Sequence, residues 1–213
     1  MVLKLAAIVV SVLAAQACAR WFPALADWLG LPAQLGGFYY ATFALRMLVP
    51  LACAVLVLRA PLRELGLRWP VLRPGDARWL AAAAVGVGLL CIPLLQMESY
   101  RTAYTPRPAG FFLLFTLSTT LPWEWLHRGF LLFGIRRTLA ESALDARSAA
   151  GIAVLFTLVF EVTQHFAKPP LEALALFVGS PLLSWLAFRT DSLLIPLAAH
   201  LLIEALFYVL VLA

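Results

Sequence analysis

Residues 110–134 read GFFLLFTLSTTLPWEWLHRGFLLFG, an apolar run whose middle carries Glu124, His127 and Arg128. Crossing hydrocarbon about 30 Å thick takes about 20 such residues, so the run is long enough to span a bilayer. A soluble core could also bury it, and the rest of the chain decides between the two. Of 213 residues, 63% are hydrophobic and only 13% charged, and mean hydropathy is +0.93. Soluble domains carry about 25% charged residues, so here the bilayer is the solvent. Further apolar runs fall near 3–20, 37–58, 79–97, 148–166, 171–188 and 192–212. The expectation is an all-α, polytopic transmembrane bundle of about seven spans, forming one integral-membrane domain over 1–213. No fixed-period repeat, low-complexity tract or soluble domain interrupts it.

The breaks between runs are chemically sensible: PLRELGLRWPVLRPGDAR at 61–78, ESYRTAYTPRPAG at 98–110 and RRTLAESALDAR at 136–147. The net charge of +5 comes from arginines in these short connections, with no basic stripe interleaved with exposed aromatics, which speaks against nucleic acid as a partner. Arg59, Arg63, Arg68, Arg73 and Arg78 make the loop at 59–78 cytoplasmic, with the amino terminus and the 136–147 loop on the same side. The loop holding Arg101 and Arg107 then falls outside, against the trend. Lys4, an apolar run and Ala15-Gln16-Ala17-Cys18 have the look of a signal sequence, but with many spans following, the stretch is expected to remain as the first span. Cys18, Cys53 and Cys91 lie in apolar runs without CxxC or metal-ligand spacing and are expected to be inert packing residues.

A charged side chain at a helix centre costs at least ~2.5 kcal/mol on insertion scales, so those retained there have partners or functions. They are Arg46, Glu124, His127, Arg128, Glu161, His165, His200 and Glu204, a set that includes every histidine in the chain. Residues four apart share a helix face, which pairs Glu124 with Arg128, Glu161 with His165 and His200 with Glu204. The bland alternative for the first pair is an intrahelical ion pair that eases insertion; for His165, it is a helix end wetted beside Lys168-Pro169. His200 lies about 12 Å of helix rise into the last run, where a lone imidazole needs a partner. Arg46 is expected to pair across helices with Glu161 or Glu204, the alternative being a guanidinium snorkelling to the interface.

PWEWLHRGFLLFG, then FEVTQHFAKPPLE, then LLIPLAAHLLIE resemble, in order and spacing over residues 60–212, the CPBP intramembrane proteases, the family containing the type II CAAX prenyl endopeptidases. The family pattern is two adjacent Glu, three residues and Arg-Gly; then Phe, three residues and His; then His, three residues and Asn. Here Trp123 stands at the first Glu, followed by Glu124, Arg128 and Gly129; Glu161 stands at the Phe before His165; Glu204 stands at the Asn after His200. Prokaryotic members with a single Glu and a Lys-Pro after the second-motif His are similar, which makes Glu172 a possible family residue.

The resemblance implies that Glu124, assisted by His165, holds and deprotonates a water that attacks a peptide carbonyl. It implies that His200 donates to the oxyanion and that Arg128 fixes Glu124 or balances its charge. Glu204 conflicts with this, because a carboxylate only accepts hydrogen bonds; either it is protonated, or it orients His200, or the hydrolytic chemistry is altered. The catalytic expectation is therefore Glu124, His165, His200, Arg128 and Glu204, with no cofactor required. Zinc on His165, His200 and Glu204 is the alternative, although no HExxH signature is present. Ser or Cys nucleophiles are disfavoured by the absence of a GxSxG elbow and of a Cys beside a His.

The function expected is an intramembrane endopeptidase in the prokaryotic inner membrane, acting on a membrane-associated protein or peptide, with the lipid bilayer and no nucleic acid as its other partner. The rivals are a catalytically inactive protein of the same fold, acting in immunity or as a scaffold, and a small ion-coupled transporter. Lack of paired broken helices and inverted repeats argues against the transporter.

Overall fold

In lipid a backbone must satisfy its own hydrogen bonds, and the apolar runs do so by closing into helices. A computed structural model describes the backbone at residues 1–28, 35–79, 81–82, 85–86, 110, 116–165 and 170–207, and among these there is no strand. Helix α1 spans Val2–Trp28, and α2 spans Leu35–Ala52 and continues as a π-helical turn over Cys53–Val57. Residues 116–140 form one uninterrupted rod: π over Thr116–Thr120, α3 over Leu121–Glu124, π over Trp125–Phe133, and α4 over Gly134–Ala140. Then come α5 (Ala146–His165), α6 (Pro170–Thr190) and α7 (Leu194–Phe207). The rod runs past the expected end at 134, through Arg136 and Arg137 to Ala140. Most of the expected third span, the loop with Arg101 and Arg107, and the side chains of Cys18, Cys91 and Glu172 lie outside the described residues.

The bundle exposes apolar side chains and buries ionisable ones. Leu48, Leu56, Leu117, Leu155, Val178 and Leu202, spread over five helices, are 44% to 72% exposed, while Glu124, His127, Arg128 and Glu161 are at most 1% exposed. Such a surface belongs against lipid rather than water. Among the described residues one helix, Ala146–His165, is by itself long and apolar enough to cross a membrane; shorter apolar helices include Val2–Ala17, Phe43–Val57, Leu174–Thr190 and Leu194–Leu206.

Helices in lipid gain little from hiding apolar surface from one another, so close packing and polar contacts hold them. Small residues sit at the contacts, with Ala15, Ala54, Ala149, Ala153 and Ala187 fully buried. Ile8 and Val12 of α1 enter the same core as Phe130, Leu131 and Ile135 of the rod, and Cys53 is buried there too as a free thiol. The indole of Trp125 donates to the Met47 carbonyl over 3.3 Å, tying the rod to α2. Gly129 makes room for that ring: a Cβ at this position would lie 2.7 Å from it.

At one end of the bundle the arginine-rich loop folds back onto the turn between α6 and α7. Leu193 N–H donates to Gly66 O (2.9 Å), Val71 N–H to Thr190 O (2.8 Å), and the Ser192 hydroxyl to Arg68 O (2.6 Å). Arg68 pairs with the Asp191 carboxylate and donates to its carbonyl. Gly66 has φ +83°, and a Cβ there would lie 2.6 Å from Phe133 and 3.1 Å from the Leu193 nitrogen, so only glycine fits this clamp. Asp76, on the same loop, accepts from the Arg73 backbone at 2.6 Å and from the Arg189 side chain at 2.9 Å. These bonds hold its carboxyl below the usual carboxylate range.

Candidate functional site

The rod presents Trp123, Glu124, His127 and Arg128 within its α-to-π transition, where i→i+5 bonding widens the turn and places residues four apart nearly in line. Arg128 Nη1 lies 2.5 Å from Glu124 Oε1, as the spacing led one to expect. The same guanidinium reaches α5: Nη1 is 3.0 Å from Glu161 Oε1 and Nη2 donates to Glu161 Oε2 over 3.2 Å. One cation thus serves two fully buried carboxylates, one from each of two helices.

From α7, His200 Nδ1 lies 2.5 Å from Glu124 Oε1, so that oxygen accepts from both Arg128 and His200. The other oxygen, Glu124 Oε2, is buried with no hydrogen-bond partner among the described residues. His200 Nε2 is 3.7 Å from Glu204 Oε1, one turn further along α7. The Thr120 hydroxyl donates to Glu204 Oε2 over 2.5 Å. His200 and Glu204 keep 24% and 20% of their side chains exposed, against 0% for Glu124. The α7 members of the cluster are thus less deeply buried than Glu124.

His165 closes the arrangement from the last position of α5. Helix rise alone would put it well away from the depth of Glu124, yet its ring stands edge-on to Trp123, the neighbour of Glu124, with centroids 5.4 Å apart. Its Nδ1–H donates to the Glu161 carbonyl over 2.8 Å, which leaves Nε2 as the basic nitrogen of the neutral ring. The third histidine has a different place. His127 Nδ1–H donates to Trp123 O (3.0 Å) and its Nε2 accepts from the Gln16 amide (3.1 Å). This packs it against α1 as a satisfied core residue.

Arg46 does not form the expected ion pair. Glu161 is taken by Arg128 and by the Trp123 indole, which donates over 3.1 Å, and Arg46 instead lies over the Trp123 ring, 5.2 Å from its centroid. Trp123 is thus held between a cation on its face and a carboxylate at its edge. The sequence reading missed Trp123 as a donor, and it missed Thr120 and Gln16. The available signals were that Thr120 lies four residues before Glu124, and that Gln16 is a lone amide in an apolar run.

Among the described residues no three His, Cys, Asp or Glu side chains form a group able to hold a metal ion. The alternative ligands His165, His200 and Glu204 are not drawn together as such a group; His165 spends Nδ1 on a carbonyl, and His200 turns Nδ1 to Glu124.

Carboxylates and imidazoles from three helices thus meet in the interior of an otherwise apolar bundle. No curated protein and no solved structure matches the chain. Residues 105–206, which hold every member of the cluster from Thr120 to Glu204, match the family model described as type II CAAX prenyl endopeptidase Rce1-like. Over these residues the chain is similar to the Rce1-like type II CAAX prenyl endopeptidases, in agreement with the resemblance carried by its three motifs.

Proposed function

We propose that the chain is an intramembrane endopeptidase that hydrolyses a peptide bond of a membrane-associated protein with a water activated by Glu124, needing no cofactor. The carrying observation is the asymmetry of Glu124: Oε1 is fixed by Arg128 and His200, while Oε2 is buried without a protein donor among the described residues. Oε2 takes a proton from the attacking water, and that proton passes to the departing amine when the tetrahedral intermediate collapses. His165 holds the same water through Nε2. His200 stabilises the oxyanion as an imidazolium: Nδ1–H is committed to Glu124, so only a protonated Nε2 has a hydrogen bond left to give. In this reading Glu204, 3.7 Å from Nε2, favours the charged ring. It serves the oxyanion indirectly, which removes the objection to a carboxylate at this place.

The substrate is a protein segment at the bilayer surface, and the location is the cytoplasmic membrane of a prokaryote. A second reading, an inactive scaffold of the same fold, draws on the complete burial of Glu124 between two cationic partners, as in an ion pair kept for stability. The purified protein in nanodiscs is incubated with a detergent-solubilised membrane-protein fraction, and new peptide termini are read by mass spectrometry. The expected result is termini that appear with the wild type and vanish with Glu124→Gln. Termini that survive the substitution remove Glu124 from the chemistry, and none with the wild type favours the scaffold.

A further inference from the structure

We infer that Glu161 is the second carboxylate of the active centre, a positioning residue that forms one exchangeable unit with Trp123; the inference rests on the protease reading above. Glu161 is fully buried on α5 and touches three members of the site. Its carboxylate meets both Nη atoms of Arg128 and accepts the Trp123 indole N–H, while its backbone carbonyl holds His165 Nδ1. Trp123 in turn supports the His165 ring edge-on. Glu161 therefore sets the second arm of the cation that fixes Glu124 and the aromatic wall behind His165.

The exchange follows from what surrounds position 123. Arg46 lies over this side chain, and its Nε is buried with no hydrogen-bond partner among the described residues. A carboxylate at 123 would face that guanidinium, from the position whose indole now reaches Glu161. An aromatic ring at 161 would then supply the wall that Trp123 now supplies. The pair needs one acid and one aromatic residue, and the cations on its two sides, Arg46 and Arg128, allow the acid to sit on either helix.

The test is an exchange cycle in the full-length protein in detergent: Trp123→Glu, Glu161→Phe and the two together. Each single change should lower the unfolding temperature by about 10 °C, the first by crowding carboxylates and the second by leaving Arg128 with one carboxylate and the Trp123 N–H without its acceptor. The double variant should recover at least half of the loss. Equal losses that simply add would overturn the exchange, whatever the protein hydrolyses. The Trp123 indole N–H resonance, assigned with Trp123→Phe, supplies a second readout that global stability does not move. It should shift upfield on Glu161→Gln at a temperature where the variant is folded, and an unmoved resonance refutes the charged contact. On the peptide whose new termini identify it as a substrate, Glu161→Gln should lower kcat at least tenfold with KM within twofold. A rise in KM with kcat unchanged overturns the positioning role. If the wild type cleaves nothing but the double variant recovers, the protease reading fails and the exchangeable pair stands.

Discussion

His200 Nδ1 and Glu124 Oε1 lie 2.5 Å apart although the residues are separated by 76 positions in the chain. The contact joins the last described helix to the central rod at one of the two carboxylates that Arg128 also holds. Substituting His200 by Gln keeps a donor toward Glu124 but removes the second ring nitrogen. Peptide hydrolysis should fall by about 10²-fold or more while the unfolding temperature changes little, as read by peptide cleavage and thermal unfolding of the same preparation. Unchanged cleavage would exclude an oxyanion role for the ring.

Gln16 and His127 allow a control on the same rod. Replacing Gln16 by Leu leaves His127 Nε2 without its donor in a fully buried place, at a cost of about 1–3 kcal/mol. Unfolding should occur at lower temperature or denaturant concentration, with a far smaller effect on kcat than Glu124→Gln, because the lost bond lies on the α1 side of His127, whose ring also stacks on Trp123 with centroids 4.1 Å apart.

Gly66→Ala sets an L side chain at φ +83° against Phe133 and the Leu193 nitrogen. A loss of about 1–3 kcal/mol is expected. The reduction in stability should come with faster amide hydrogen exchange at Leu193 and Val71, whose bonds form the clamp. Normal exchange at both would show that the loop tolerates the change.

Asp76 gives the clamp a pH dependence of definite sign. Its folded value lies below the ordinary 3.8 because Arg73 and Arg189 bond the charged form. The stabilisation is therefore complete above that ordinary value and disappears as pH falls through the lower folded value. Asp76→Asn should flatten the acid limb of a stability-versus-pH curve below about pH 4 and leave its shape at neutral pH unchanged. An identical acid limb in both proteins would count against the bonds.

Much of this arrangement is legible in the sequence, because it depends on periodicity. Glu124 with Arg128, and His200 with Glu204, lie one turn apart, and such pairs can be read without knowing how helices pack. The apolar runs likewise announce the helices. Contacts across helices are a different matter. Nothing local says that Arg128 reaches Glu161 while Arg46 stacks on Trp123, since both arginines lie in apolar runs and either could neutralise the acid. The widening of the rod into π turns at Trp125–Phe133 has no residue signature comparable to the Pro or Gly of a break, and it changes which side chains line up.

The clamp between Arg68 and Asp191 joins residues 123 positions apart, and this separation constrains how the chain is assembled. As synthesis proceeds from the amino terminus, the early loop emerges long before the turn that receives it. Until that late hairpin arrives, the Gly66 and Arg68 carbonyls must be hydrated, and the loop must wait at the aqueous face. Arrival of the α6–α7 hairpin is thus registered at the rim, where it locks a loop made much earlier in the chain.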